Sequence, residues 1–238
     1  MKTKKKKVFF DLWKTLVTSH CKEPVWNLQR AIGHNLFSPD DGGDEVFEPD
    51  DQFLRFCLTT PISDRDAFVY EAARRFGRTT PTSTALREFE SILRGESGCV
   101  ARFEDVNATL IGLQERGYEI GVISNLWPFP AERIFDVNGL GAFFDRKNRI
   151  YSYEVQHRKP EPQIFEAACR AIGADPKDCL MIGDNLEADV IGAQRIGMHA
   201  ALIDRPGDFA EGSLPAGAHH LRSLTEILDI LDKEEQQG

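Results

Sequence analysis

The sequence predicts an α/β protein, a parallel sheet with helices on both faces, interrupted by an inserted helical segment. Three observations carry that reading. Beyond Phe103, short apolar runs alternate with helical patterns, which is the signature of βαβ units and a parallel sheet. Four apolar runs end in polar groups: Val8-Phe9-Phe10 in Asp11, Tyr118 to Ile123 in Ser124-Asn125, Cys179 to Ile182 in Gly183-Asp184-Asn185, and Ala200 to Ile203 in Asp204. Residues 17–100 instead carry apolar side chains at helical spacing, without the βα alternation.

In chain order, the first strand ends at Asp11 and a polar turn containing Thr15 follows. Helical spacing then covers Val25 to Leu36, Asp51 to Leu58, Ser63 to Phe76 and Thr84 to Leu93, the last with Leu86, Phe89, Ile92 and Leu93 on one face. The acidic stretch Asp40 to Asp51, with Gly42, Gly43 and Pro49, reads as a solvated loop. An amphipathic helix spans Asp105 to Arg116 and stops at Gly117, a helix C-cap. Further helices are expected over Pro130 to Val137, Gln163 to Ile172, Leu186 to Ile196 and Ser223 to Leu231. Phe143 to Asp145 and Ile150 to Ser152 read as short extended pieces. Because the insertion falls between the first strand and the alternating pattern, it is expected to form a lid over the edge where the polar strand ends lie.

Length and composition narrow the function. At 238 residues the chain can form one α/β domain with an insertion, or two modest domains. No run approaches the roughly 20 apolar residues that cross a bilayer. The basic start, Lys2 to Lys7, resembles the opening of a signal peptide. The apolar run after it reaches Asp11 at once, so a cytoplasmic protein is expected. A formal net charge of −9 argues against a nucleic-acid-binding surface. Five scattered cysteines with no CxxC pair fit reduced thiols better than a disulfide framework or a zinc site.

Parallel strands place Asp11, Ser124, Asp184 and Asp204 on one edge, where open α/β sheets bind ligands. Carboxylates gathered there raise one another's pKa unless a cation compensates them. Mg²⁺ suits such a set, being a hard ion that takes a few carboxylates, water and a substrate phosphate. Lys159, held beside Pro160, offers a second positive charge. Thr15 reads as a turn residue that bonds its own loop.

With these residues in place, the chain resembles the haloacid dehalogenase-like superfamily of hydrolases over almost its whole length. Asp11-Leu12-Trp13-Lys14-Thr15-Leu16 looks like the family's first motif, Ser124 the second, Lys159-Pro160 the third, and Gly183-Asp184-Asn185-Leu186-Glu187-Ala188-Asp189 the fourth. The resemblance implies a three-layer Rossmann-like core over residues 1–16 and 101–238, with a helical cap domain over 17–100. It also implies a Mg²⁺-dependent phosphatase of a small phosphorylated substrate. The oligomeric state stays open between monomer and homodimer. In that reading Asp11 is the nucleophile and Lys159 offsets charge. Ser124 and Asn125 hold phosphate. The metal lies between Asp11, the main-chain carbonyl of Trp13 and Asp184, with Asp189 reaching it through water or orienting its neighbours. Asp204 lies outside these motifs and reads as structural.

The sequence departs from the family at one place. Phosphatases of this kind carry a second Asp two residues after the nucleophile, where this chain has Trp13. An indole donates a hydrogen bond but does not exchange protons in the way an acid does. Two alternatives therefore stay open: a metal-independent 2-haloacid dehalogenase, and a catalytically weak protein of the same fold that binds a phosphorylated ligand. A Schiff-base phosphonoacetaldehyde hydrolase fits poorly, because no lysine lies between Lys22 and Lys147.

Overall fold

The computed structural model describes residues 7–19, 28, 51–76, 83–210 and 212–237. Six parallel strands form the main sheet in the order β5-β4-β1-β6-β7-β8. They are β1 Lys7–Phe10, β4 Glu119–Ser124, β5 Arg149–Tyr151, β6 Cys179–Gly183, β7 His199–Ile203 and β8 Ala218–Leu221. β1 is central, with Phe10 paired in register to Val122 on one side and Ile182 on the other. A second, antiparallel pair joins β2 Val17–Ser19 to β3 Val100–Arg102.

Alternation along β1 divides the core into two layers. Val8 and Phe10 face one side, with Val106, Leu110 and Leu113 of α4 (Asp105–Glu115) and Ile227 and Leu231 of α9 (Glu226–Gln237). Phe9 faces the other, with Ile164, Phe165 and Ala168 of α7 (Pro162–Ala171) and with Val190. A strand buried on both faces needs apolar side chains at every position, which is why these strands read as continuous apolar runs. Gly121 stands where a Cβ would lie 2.7 Å from the Phe9 ring and 2.8 Å from the Asn148 carbonyl, so only glycine lets those groups approach.

Between β2 and β3 lie helices α1 (Asp51–Thr59), α2 (Arg65–Phe76) and α3 (Ser83–Gly98). Phe53, Phe56, Cys57, Phe68, Val69 and Phe89 form their apolar interior. Phe68 and Phe89 pack edge-on against Phe129, with ring centroids 5.0 and 5.3 Å apart, and Phe89 meets Trp127 at 5.6 Å. Trp127 and Phe129 follow Ser124, so the insertion rests on the carboxyl edge of the sheet. Asp51 of α1 pairs with Arg158 and Arg55 pairs with Glu161, tying it to the segment that carries Lys159.

Several local expectations change. Phe143 to Asp145 is not extended, because Leu140–Ala142 forms a 3₁₀ turn that continues into Phe143 and Phe144. The helix expected over Leu186 to Ile196 is a π-helical turn, Leu186–Ile191, followed by α8 (Gly192–Gln194). β2, β3 and β8 are additional strands, and the final helix runs on to Gln237. Cys99 is disulfide-bonded, which corrects the expectation of reduced thiols throughout, while Cys57, Cys169 and Cys179 are free. The helix expected over Val25 to Leu36 lies outside the described residues apart from Leu28, and the acidic stretch lies outside them up to Asp51, which opens α1. Among the described residues no helix is long and apolar enough to cross a membrane.

Candidate active site

Asp11 leaves the carboxyl end of β1 with its amide bonded to the Ile182 carbonyl at 2.8 Å, which fixes it against β6. The residue is 7% exposed. Lys159 is 4% exposed, and its ammonium donates to Asp11 Oδ1 and to Asp189 Oδ1, each at 2.6 Å. Asp189 accepts a further bond at Oδ2 from the amide of Asn185, at 3.0 Å. Oxygens of Asp11, Asp184 and Asp189 lie within 4.8 Å of one another. Asp189 is therefore buried and braced.

Three carboxylates gather around the Lys159 ammonium, and the proton affinities of Asp11 and Asp184 reflect it. Burial pushes the Asp11 carboxyl up, Lys159 opposes it, and Asp189 and Asp184 add to the rise, leaving it at about 7. Asp184 is raised to about 6, first by burial and then by Asp189, against Lys14 and Lys159. Burial alone would lower Lys159, but Asp11 and Asp189 outweigh it and hold the ammonium above its ordinary range. The cluster is short of positive charge. Hard oxygen donors with surplus negative charge fit a divalent cation such as Mg²⁺.

Ser124, at the end of the neighbouring strand β4, is fully buried and its Oγ has no hydrogen-bond partner. A buried hydroxyl left unpaired costs about 1–3 kcal/mol, so a ligand oxygen would relieve it. Asn125, the next residue, is bonded to the backbone of Lys159. Its side-chain amide accepts from the Lys159 amide at 2.7 Å and donates to the Lys159 carbonyl at 3.0 Å. That side chain braces the segment that carries the lysine. Trp13 is half-buried and packs against the core, and a bridge to Val17 closes its turn. Asp204 stands apart from the cluster. It accepts from the amides of Gly207, Asp208 and Phe209 and binds His220 and Arg222, which is a structural role.

Two contributors have no role assigned from the sequence. Gly183 leaves room for Asp189, because a Cβ there would lie 2.2 Å from its Oδ2. Arg205 bonds the carbonyl of Thr15 in the turn after Asp11, at 2.9 Å. The glycine directly before Asp184 was a signal for the first; an arginine far along the chain gave none for the second.

A parallel sheet with a lysine-bridged carboxylate cluster at its carboxyl edge defines a ligand-binding α/β enzyme scaffold. Residues 5–197 match the model of the haloacid dehalogenase-like hydrolases, and the chain belongs to that family. It is 36% identical over 102 residues to a glyceraldehyde 3-phosphate phosphatase of Methanothermobacter thermautotrophicus, covering 43% of this chain and 44% of that protein. It is 31% identical over 120 residues to the pyrophosphatase PpaX of Bacillus cereus, covering 50% and 53% respectively. The chain thus spans about half the length of the curated relatives it matches. A crystal structure of a HAD phosphatase from Thermococcus onnurineus is similar over 95% of this chain and 97% of that one, with TM-score 0.61 and 26% identity. A 2-haloacid dehalogenase from Pseudomonas syringae shares the fold at TM-score 0.65 and 22% identity, over 97% and 99% of the two chains.

Proposed function

We propose that this protein is a Mg²⁺-dependent phosphatase of small phosphorylated metabolites that works through an aspartyl-phosphate on Asp11. Residues 1–16 and 101–238 would be its core domain and 17–100 its cap domain. The observation that carries the reading is the gathering of Asp11, Asp184 and Asp189 around Lys159. The phosphatase names among relatives that match about half the chain support it.

In this mechanism an Asp11 oxygen bonds to phosphorus as the bond to the leaving oxygen breaks. Water then attacks the same phosphorus, the bond to Asp11 breaks, and inorganic phosphate leaves with the carboxylate restored. Lys159 stays protonated against the phosphoryl oxygens, kept in place by Asp189 and the Asn125 amide. The Ser124 hydroxyl donates its free hydrogen to a phosphoryl oxygen. Asp11, Asp184 and the Trp13 carbonyl would hold the Mg²⁺, which supplies positive charge to the transferring group. Trp13 supplies no proton to the leaving group, and general acid–base help is worth about 10²–10⁴ in rate. Turnover is therefore expected to be slow on alkyl phosphates and faster on activated aryl phosphates.

The test is phosphate release from an activated aryl phosphate with and without Mg²⁺, which Asp11→Asn should abolish. Chelator-resistant halide release from a 2-haloacid would replace this reading with a dehalogenase. Binding of a phosphorylated ligand without turnover of either substrate class would make the protein a binding module.

A further inference from the structure

The turn that carries the chain away from Asp11 is closed by its own backbone. The amides of Leu16 and Val17 donate to the Leu12 carbonyl at 3.0 Å, and the Lys14 amide donates to Val17 at 2.7 Å. Lys14 takes a left-handed φ of 57° within it. The outward carbonyl of Thr15 is gripped from elsewhere, by Arg205 Nη2 at 2.9 Å, from the loop after β7. The same guanidinium makes a fork with Asp105, at 2.9 and 3.0 Å, and lies 3.8 Å over the Phe103 ring. Asp105 is fixed in turn by Ser223 Oγ at 3.0 Å and the Leu224 amide at 2.9 Å. The Phe103 amide completes the circuit by donating to the Leu16 carbonyl at 3.2 Å.

One arginine thus meets both crossings of the chain between sheet and insertion, the outgoing turn that leads into β2 and the segment that returns from β3. A bidentate arginine–carboxylate pair is geometrically stiff, and the ring beneath it restrains the guanidinium further. Arg205 is only about one-fifth exposed at its side chain, so the restraint acts away from bulk water.

We infer that Arg205 is a positioning residue that clamps the turn after the proposed nucleophile and holds Asp11 and Trp13 in register with the rest of the site. The clamp stands on geometry alone; its effect on turnover rests on the phosphatase reading. Arg205 touches no reacting atom.

The experiment compares Arg205→Met, which keeps an apolar stem over Phe103 but no donors, with Arg205→Lys and Ser223→Ala. Backbone hydrogen exchange is read at residues 14–17 and in β4 and β6, together with kcat and KM on an activated aryl phosphate. In Arg205→Met the turn amides should exchange about tenfold faster or more, as a local opening, while β4 and β6 stay as in the wild type. Its kcat should fall about 10- to 100-fold, the scale of a small misplacement of catalytic groups, with KM little changed. Arg205→Lys should recover part of both effects. Ser223→Ala, which removes one bond on Asp105 and leaves the Leu224 amide and the Arg205 fork in place, should loosen the turn and lower kcat much less than Arg205→Met does.

Wild-type exchange in the Arg205→Met turn would overturn the clamp. So would equal acceleration in the turn and in β4 and β6, since that marks a general stabilising group. A loosened turn with unchanged kcat in an active enzyme would overturn the positioning role. Should Arg205→Met fail to fold, Asp105→Asn loosens the same guanidinium from its other end and is read by the same criteria. A wild-type protein inactive on the aryl phosphate would sink the phosphatase reading, while the exchange data would still decide the clamp.

Discussion

At Gly183 an added methyl group would lie 2.2 Å from Asp189 Oδ2 and 2.3 Å from its Cγ. A free carboxylate could swing aside, but this one is held by Lys159 at 2.6 Å and by the Asn185 amide at 3.0 Å. Gly183→Ala should therefore cost about 1–3 kcal/mol in stability, the usual scale of overpacking, and displace Lys159 enough to remove most turnover. Thermal melts and aryl phosphate assays would check it, and a fully active Gly183→Ala would count against the braced lysine. Asp204 gives a test of a different kind. Burial pushes its carboxyl up, but His220 and the amides of Phe209, Asp208 and Gly207 outweigh that and bring it down to about 2. A carboxylate whose folded pKa is depressed contributes fully above its unfolded value of about 3.9 and loses that contribution as pH falls through the folded one. Asp204→Asn should be less stable than wild type at neutral pH, and the gap should close between roughly pH 4 and pH 2. Denaturant titrations across that range read it directly. A gap that persists undiminished at the acid end would mean that the charge of Asp204 is not what stabilises its loop.

The elements differ in how far the residues announce them. β1, β4, β6 and β7 are apolar runs buried on both faces, bounded by turn residues that mark where each one ends. β2 and β3 have three residues each. β8 is Ala-His-His-Leu, a four-residue strand at the sheet edge whose histidines are half-buried, so its composition carries no strand pattern. The π-helical turn at Leu186–Ile191 has the apolar spacing of an α-helix, and only the bonds around Asn185 and Asp189 distinguish it. Within the site, the residue types at Asp11, Ser124, Lys159 and Asp184 were legible because each ends a strand or precedes a proline. The partners of Asp189 and Asn125 were not, since both depend on the approach of a loop distant in sequence. Asn185 links these two levels. Its side chain caps the π-turn by accepting from the Ala188 amide at 2.8 Å, while its own amide holds Asp189. Asn185→Ala removes the cap, at a cost of about 0.5–2 kcal/mol, but keeps the main-chain bond. Its melting temperature should fall clearly and its turnover much less than in Asp189→Asn. Equal losses of turnover in the two variants would show that the cap, and not the bond to Lys159, is what places Asp189.

At the scale of the whole molecule, ring contacts and ion pairs among the described residues both join the inserted helices to the segments that follow the sheet strands, and their magnitudes decide which dominates. The ion pairs Asp51–Arg158 and Arg55–Glu161 have side chains up to 75% exposed at Asp51 and 48% at Arg55. Exposed pairs of that kind contribute little and are screened by salt. The aromatic contacts of Phe68 and Phe89 with Trp127 and Phe129 are desolvated at Phe68, Phe89 and Trp127. Each such pair adds about 0.5–1.5 kcal/mol beyond the burial of the rings. The rings should therefore hold the insertion over the site, and the ion pairs should do little more than orient α1 against the Lys159 segment. Hydrogen exchange in α2 and α3 separates the two contributions. Phe129→Ala should speed exchange there relative to β4 and β6, because it removes the edge-on contacts with both Phe68 and Phe89 at once. Raising salt to about 1 M, where the Debye length is about 3 Å, should barely change it. Salt that opens these helices as far as Phe129→Ala does would place the hold on the ion pairs instead. The same variant should raise KM for an aryl phosphate more than it lowers kcat, since Phe129 lies on the path from insertion to sheet and not among the carboxylates.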